Sequence, residues 1–396
     1  MFNLATQKVQ SDTLYGKVQR IDWGLVLVLT LLAGVGFALL YSATRGVLES
    51  WPIQQMIRFS IGIVCATAVG LVSLRVWHGI AWLSYGAALL LLILVPLLGG
   101  ATTGAQRWLD LGIIKFQPSE PMKLALILAL ARYYESLPAK DISRLRFMII
   151  PVVLTLIPAM LIMRQPDLGT AFLIVATGGI IIFLAGVRIL YFVLVVVVGV
   201  ASLPVLWSFL KDYQKERILS FVESGYDPLG AGYHILQSQI ALGSGGVFGR
   251  GFLQGTQTQL SFLPELQTDF IFTILAEDFG LMGGLVLLFL CGAVLWIVFR
   301  IARNSVSTFG HLIAMGVGVI FFLHAFINMA MVMGLLPVVG IPLPLISYGG
   351  SSMLTFLLGF GLVLSAHIHQ RLKISGGIGA MGGTLALVDN FHSERK

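Results

Sequence analysis

The stretch Ile189–Phe209 reads ILYFVLVVVVGVASLPVLWSF and holds no charged residue. About 20 apolar residues in a helix cross the hydrocarbon core of a bilayer, so this stretch is long and apolar enough to span one. The pattern recurs on both sides of it, at about 23–44, 54–73, 77–98, 119–134, 147–163, 168–187, 268–299, 308–334 and 345–368. No two-residue alternation suggests a membrane barrel. Helices that satisfy their own backbone are the alternative in lipid, and strands are not expected. The fold class expected is an all-α integral membrane protein of about ten transmembrane helices.

Composition agrees. Of 396 residues, 57% are hydrophobic and 11% charged, against about 25% charged in soluble domains, and the mean hydropathy is +0.92. A soluble globule, a disordered chain and a disulfide scaffold are excluded. The two cysteines, Cys65 and Cys291, both sit in apolar runs, which argues against a cysteine-based metal site. The seven histidines, His234 and His324 among them, are scattered, and a dedicated metal site is not expected. The net charge of +7 suits basic loops beside anionic lipid. It does not suggest nucleic acid, because no basic stretch is interleaved with aromatics.

Sides follow from the basic residues. Alternating the segments puts Lys8, Lys17, Arg20, Arg75, Arg132, Lys140, Arg144, Arg146, Arg188, Arg300, Arg303, Arg371, Lys373, Arg395 and Lys396 on one side. The short loops of the other side hold Arg45, Arg107, Lys115 and Arg164. Positive loops stay inside, so both termini are expected in the cytoplasm. Residues 1–22 read as a cytoplasmic leader, without a small-residue cleavage site. Residues 23–370 form the membrane domain, and the glycine-containing 371–396 a flexible cytoplasmic tail. One long extracytoplasmic loop, 210–268, joins the seventh and eighth spans, and its length suggests a functional element.

The candidate site gathers on that outer side. Ser119 is expected to cap the fourth span, behind Gln117 and Pro118, with Glu120 in its first turn. Glu120 and Lys123 share a helix face. They form either a structural ion pair or an anion site in which Lys123 faces a cavity. Arg107 and Trp108 suit a headgroup or sugar, although Trp108 alone is an ordinary interfacial anchor. The long loop carries Arg217 and a glycine-rich run at 243–255 with Arg250 inside it. Glycines let backbone N–H groups approach an anion, but a plain flexible loop has the same composition. Then comes FLPELQTDFIF, residues 262–272. Thr268 is expected to cap the eighth span, with Asp269 in its first turn and Glu265 four residues before. A carboxylate at the lip of the membrane can act as a general base toward a substrate lying in the bilayer plane. Glu277 and Asp278 lie two turns deeper, where acids need a function or a partner. Asn328 in the ninth span also needs a partner. The Pro- and Gly-rich stretch 334–352 reads as a kinked or re-entrant segment.

These residues carry a resemblance. The chain resembles the SEDS family (shape, elongation, division and sporulation) from about Asp22 to His369. The marks are GAQRW at 104–108, QPSE at 117–120 with Lys123, QPDLGT at 165–170, LPE at 263–265 with TDFIF at 268–272, and LPLISYGG at 343–350. Within the family the elongation branch, RodA, is more similar than the division branch, FtsW, on the stretch VVGIPLP at 338–344. Pro121 departs from the usual small or aliphatic residue and leaves Glu120 and Lys123 in place.

The resemblance implies a peptidoglycan glycosyltransferase of cell elongation and rod-shape maintenance. Such proteins polymerise lipid II into glycan strands on the outer face of the bacterial cytoplasmic membrane. They work in the elongation complex with a single-span class B penicillin-binding protein, a transpeptidase, which the eighth and ninth spans contact. The essential acid corresponds to Asp269. It takes the proton of the acceptor GlcNAc 4-hydroxyl, which attacks the anomeric carbon of the donor MurNAc with inversion, and undecaprenyl pyrophosphate leaves. Arg107, Lys123, Arg217 and Arg250 are the cations offered to that anion. A divalent cation, Mg2+ or Mn2+, held partly by Asp269 fits the same chemistry. Trp108, Glu265 and Ser347 complete the substrate-binding set, and Glu120, Gln117, Asp167, Glu277 and Asn328 the supporting one. The competing readings are a lipid II flippase, since broken helices and charged spans also suit transport, and a scaffold without catalysis.

Overall fold

A computed structural model describes residues 13–48, 51–98, 107–110, 115–209, 215, 231–255 and 266–374. Each of the ten apolar segments is a helix. After a short α1 (Leu14–Gln19) come α2 (Trp23–Ala43), α3 (Trp51–Leu71) and α4 (Leu74–Leu98). Then follow α5 (Ser119–Glu135), α6 (Leu145–Arg164), α7 (Leu168–Leu184) and α8 (Ile189–Phe209). The chain closes with α9 (Ala231–Gly245), α10 (Ile271–Asn304), α11 (Thr308–Val332) and α12 (Gly350–Ile368). Among the described residues seven helices, α2, α3, α4, α6, α10, α11 and α12, are long and apolar enough to cross a membrane. The other three fall short of that measure for visible reasons. α5 and α7 have 17 residues each, and α5 carries Glu120, Lys123, Arg132 and Glu135. The described apolar part of α8 ends at Ser202.

Two strands appear where none was expected. β1 (Leu109–Asp110) pairs antiparallel with β2 (Lys115–Phe116), Leu109 opposite Phe116. This small hairpin lies between α4 and α5, where a stretch too polar for lipid must satisfy its own backbone.

α5, α11 and α12 form the centre of the bundle, with most of their side chains buried. The largest helix pair is α3 with α12. Small residues bring them together, as in other membrane bundles: a Cβ on Gly361 would lie 2.6 Å from the Ala66 carbonyl oxygen. Val193 to Val198 of α8 are all more than half exposed, as lipid-facing residues are.

Hydrogen bonds and ion pairs identify the two ends of the bundle. At one end Asp22 caps α2 by accepting from Leu25 N at 3.1 Å and pairs with Arg300. There too Glu135 Oε2 accepts from Phe309 N at 2.8 Å, and Val306 N donates to Gln370 O at 2.9 Å. Lys17, Arg132, Arg144 and Arg300 gather at this end. The opposite end carries Asp269.

α10 is two helices in series. Gly280 interrupts it at φ 61°, ψ −154°, a region open to glycine and costly for other residues. The glycine-rich run fills the break. Arg250 N and Gly251 N donate to the Glu277 and Asp278 carbonyls at 2.9 and 3.1 Å. Leu281 N and Met282 N donate to the Gly246 and Val247 carbonyls at 3.0 and 3.1 Å. Irregular backbone in a membrane must be satisfied by protein, and here it is. At Gly249, φ 82°, a side chain would collide with the Asp278 carbonyl. The run is therefore neither an anion cradle nor a flexible loop. It splices a broken helix.

Candidate active site

Asp269 does not sit in the first turn of α10, and Thr268 does not cap that helix. α10 begins at Ile271 with Phe270 at its N-cap, and residues 266–270 form a turn ahead of it. Three neighbours hold the carbonyls of this turn. Tyr348 N donates to Gln267 O at 2.8 Å, Ser347 Oγ to Thr268 O at 2.5 Å, and Asn328 Nδ2 to Asp269 O at 2.7 Å. Asn328 Nδ2 also reaches Ile341 O at 2.8 Å, and Gln55 Nε2 of α3 reaches Ser347 O at 2.8 Å. Elements distant in sequence thus converge on one turn and fix its backbone. The Asp269 side chain lies beside Gly340, where a Cβ would be 3.4 Å from Oδ2.

The 341–349 segment is the strap across this turn. Its backbone presses against α2, where a Cβ on Gly36 would lie 2.7 Å from Ile346 Cα. Leu345, buried, has φ 63°. A buried leucine in the left-handed region costs about 1–3 kcal/mol and persists where its surroundings over-determine it, a condition common at functional sites. Ser347, expected to bind substrate, instead ties the strap: its hydroxyl donates to Thr268 and accepts from Leu343 N at 2.8 Å. Asn328 bridges the Asp269 and Ile341 carbonyls.

Lys123 does not face a cavity. It is 1% exposed, 2.9 Å from Glu120 Oε1 and 3.0 Å from His324 Nε2. The alternative of an ion pair matches this geometry, with His324 as an unforeseen third member. His324 Nδ1 lies 2.8 Å from the Ile320 carbonyl. Nδ1 must donate there, which leaves the Nε2 lone pair to accept from the ammonium. Nor does Ser119 cap α5. Pro118 holds the N-cap position, and Ser119 is the first helical residue.

Arg107, expected at the substrate, is half-buried and directed at the corner between α6 and α7. Its Nε donates to Gln165 O at 3.3 Å and its Nη2 to Pro166 O. Trp108 beside it is half-buried. Asp167 caps α7 by accepting from Thr170 N at 3.1 Å and Thr170 Oγ1 at 2.9 Å, while the Gln117 carbonyl accepts from Glu120 N at 3.1 Å. Arg250 Nε donates to Ser244 O at 3.3 Å within the splice. Glu277 is fully buried at the break, and a Cβ on Gly255 would lie 2.6 Å from its Oε2. Beside it Asp278 accepts from Ser42 Oγ at 2.5 Å. Arg217 and Glu265 lie outside the described residues, as do 210–214, 216–230 and 256–265 of the long loop.

Among the described residues no three His, Cys, Asp or Glu side chains gather to hold a metal ion. A divalent cation at Asp269 would have one carboxylate from the described chain and would complete its shell with substrate oxygens and water.

This geometry can be set beside known proteins. The model of the FtsW/RodA/SpoVE cell cycle proteins matches residues 22–372. The chain belongs to that family. It is 41% identical over 373 residues to peptidoglycan glycosyltransferase MrdB of Escherichia coli K12, covering 93% of this chain and 98% of that one. It is 36% identical to stage V sporulation protein E of Bacillus subtilis, over 88% and 98% of the two chains. A solved peptidoglycan synthase complex, described as coordinating polymerization and crosslinking, contains a similar chain with TM-score 0.77 and 32% identity, over 89% and 99% of the two chains. The rod shape determining protein RodA of Thermus thermophilus superposes with TM-score 0.67 at 30% identity, over 89% and 98%. The similarity to MrdB and RodA agrees with the elongation-branch resemblance.

Four residues at or near the site were not anticipated as part of it: Gln55, Arg58, His324 and Tyr348. Arg58 left a signal in the sequence, a full charge inside an apolar segment. The others are polar side chains whose partners lie hundreds of residues away.

Proposed function

We infer that the chain is a peptidoglycan glycosyltransferase, polymerising lipid II at Asp269 during cell elongation. The carrying observation is a carboxylate on a turn whose three successive carbonyls are pinned by α11 and the strap, in a family whose relatives bear that activity in their names. A general base works when its backbone holds it within reach of the proton it takes. Asp269 accepts the proton of the acceptor hydroxyl as that oxygen attacks the anomeric carbon of the donor. The bond to the pyrophosphate breaks, and undecaprenyl pyrophosphate departs with the electron pair.

The orientation follows from charge. The Asp269 end faces the outer side of the cytoplasmic membrane, and the basic end the cytoplasm. The partner is a class B penicillin-binding protein, and its single span docks on α10 and α11. An apolar groove lies between those helices, lined by Leu295, Val298, Phe299, Met315 and Phe322. The test is polymerisation of labelled lipid II by purified protein and partner in detergent, where no second compartment exists. Polymer made by the wild type and abolished in Asp269→Ala supports the enzyme. Activity only in sealed vesicles, without polymer, would support a transporter.

A further inference from the structure

Arg58 lies seven residues into α3, about 10 Å along the helix at 1.5 Å per residue, near the end that carries Asp269. A guanidinium in a membrane helix needs a partner. Among the described residues no carboxylate pairs with it. It is nevertheless held in one pose. Its Cζ stands 4.7 Å over the Tyr348 ring, a cation–π contact. Its Nη2 donates to Gln54 Oε1 at 3.3 Å, and the Tyr348 hydroxyl donates to the same oxygen. A Cβ on Gly350 would lie 3.2 Å from its Nε, so glycine there leaves the guanidinium its place. Nη1 is buried with no hydrogen-bond partner among the described residues.

The strap connects this group to the chemistry. Tyr348, which supports the guanidinium with its ring, bonds Gln267 through its backbone N–H, two residues before Asp269. Of the cations considered from the sequence, the three among the described residues are otherwise engaged. Lys123 is held by Glu120 and His324, Arg107 donates to the Gln165 and Pro166 carbonyls, and Arg250 Nε donates to Ser244.

We propose that Arg58 is the cation that receives the pyrophosphate of the lipid-linked donor. The proposal rests on the glycosyltransferase reading. As the bond from the anomeric carbon to the leaving oxygen breaks, the electron pair passes to the pyrophosphate, and the free N–H donors of Nη1 meet the charge that develops. A planar guanidinium fixed over an aromatic ring suits that anion better than a mobile ammonium does.

The experiment measures polymerisation of labelled lipid II, and its inhibition by undecaprenyl pyrophosphate and undecaprenyl monophosphate, for purified wild type and variants with the partner. Wild type that makes no polymer would sink the glycosyltransferase reading itself. With active wild type, Arg58→Gln is expected to lose about 100-fold in kcat, as one removed transition-state donor does elsewhere. Its inhibition by the pyrophosphate is expected to weaken about tenfold or more, with little change for the monophosphate. A purely structural role would not remove that discrimination. Arg58→Gln with wild-type melting that polymerises within about twofold, or that keeps the preference for pyrophosphate, overturns the proposal. Should Arg58→Gln not fold, Arg58→Lys carries the test. It keeps the charge but loses the fork, and is expected to weaken pyrophosphate inhibition about tenfold; unchanged inhibition overturns the assignment.

Discussion

Asp269 owes its position to atoms other than its own carboxylate. The carbonyls of Gln267, Thr268 and Asp269 are each held by a donor from α11 or the strap. Removing the acid alone should therefore leave the turn standing. Asp269→Asn is expected to melt at the wild-type temperature, bind lipid II and polymerise about 10²–10⁴-fold more slowly, the usual worth of a general base. An equal loss of binding and rate would assign Asp269 to substrate recognition. Lys123 obeys the opposite logic, since it is buried against Glu120. Lys123→Met leaves Glu120 buried without its cation, and is expected to destabilise the fold by about 3–5 kcal/mol, read as a lowered melting temperature in detergent. Restoring the balance with Glu120→Gln in the same chain should recover part of that loss.

At this scale the sequence was legible where partners are neighbours. Spacing alone put Glu120 and Lys123 on one face, where they pair at 2.9 Å. His324 was illegible because Lys123 lies 201 residues away. Ser347 was misread because its hydroxyl is occupied by backbone groups that only the folded strap brings near.

Among the elements, α10 behaves as no apolar pattern could announce. Its run reads through Gly280 without a breaker, since glycine is tolerated in membrane helices. The break is visible only with the splice that fills it, and the glycine-rich run reads as a loop until its N–H groups have carbonyls to meet. Gly249→Val places a side chain against the Asp278 carbonyl and strains a left-handed backbone. It is expected to open the splice, raising amide exchange at Glu277–Met282 while leaving the α3–α12 pair protected. Uniform exchange across all helices would show that the splice is not a separate unit. The α3–α12 pair has its own test. Gly361→Leu must displace the Ala66 carbonyl and is expected to cost about 1–3 kcal/mol, as overpacking does elsewhere, measured by thermal unfolding.

Across the whole molecule, charge and hydropathy predict ten helices, and all ten are present, but they do not predict which helices are central. α5 is the most polar of the ten and lies near the middle, because Glu120 pairs with Lys123, Arg132 and Glu135 bond backbone groups of neighbouring elements, and its small residues pack. The groove between α10 and α11 lies on the flank of the bundle, toward the end that carries Arg300 and away from Asp269. Val319→Trp fills that groove, which Val319 lines. It is expected to reduce copurification with the penicillin-binding partner about tenfold, the cost of one lost anchor, while the melting temperature holds. Undiminished copurification would move the partner elsewhere.

The strap also sets an order of assembly. Gln55 meets Ser347 across 292 residues, and Ser42 meets Asp278 across 236. During synthesis Asp269 is therefore inserted early into a bundle that cannot yet hold its turn. The carboxylate is present from α10 onward, but its turn is held only when residues 341–349 fold back over α2 and α3. A chain halted before that point carries the acid without the bonds from Ser347 and Tyr348 that hold its turn.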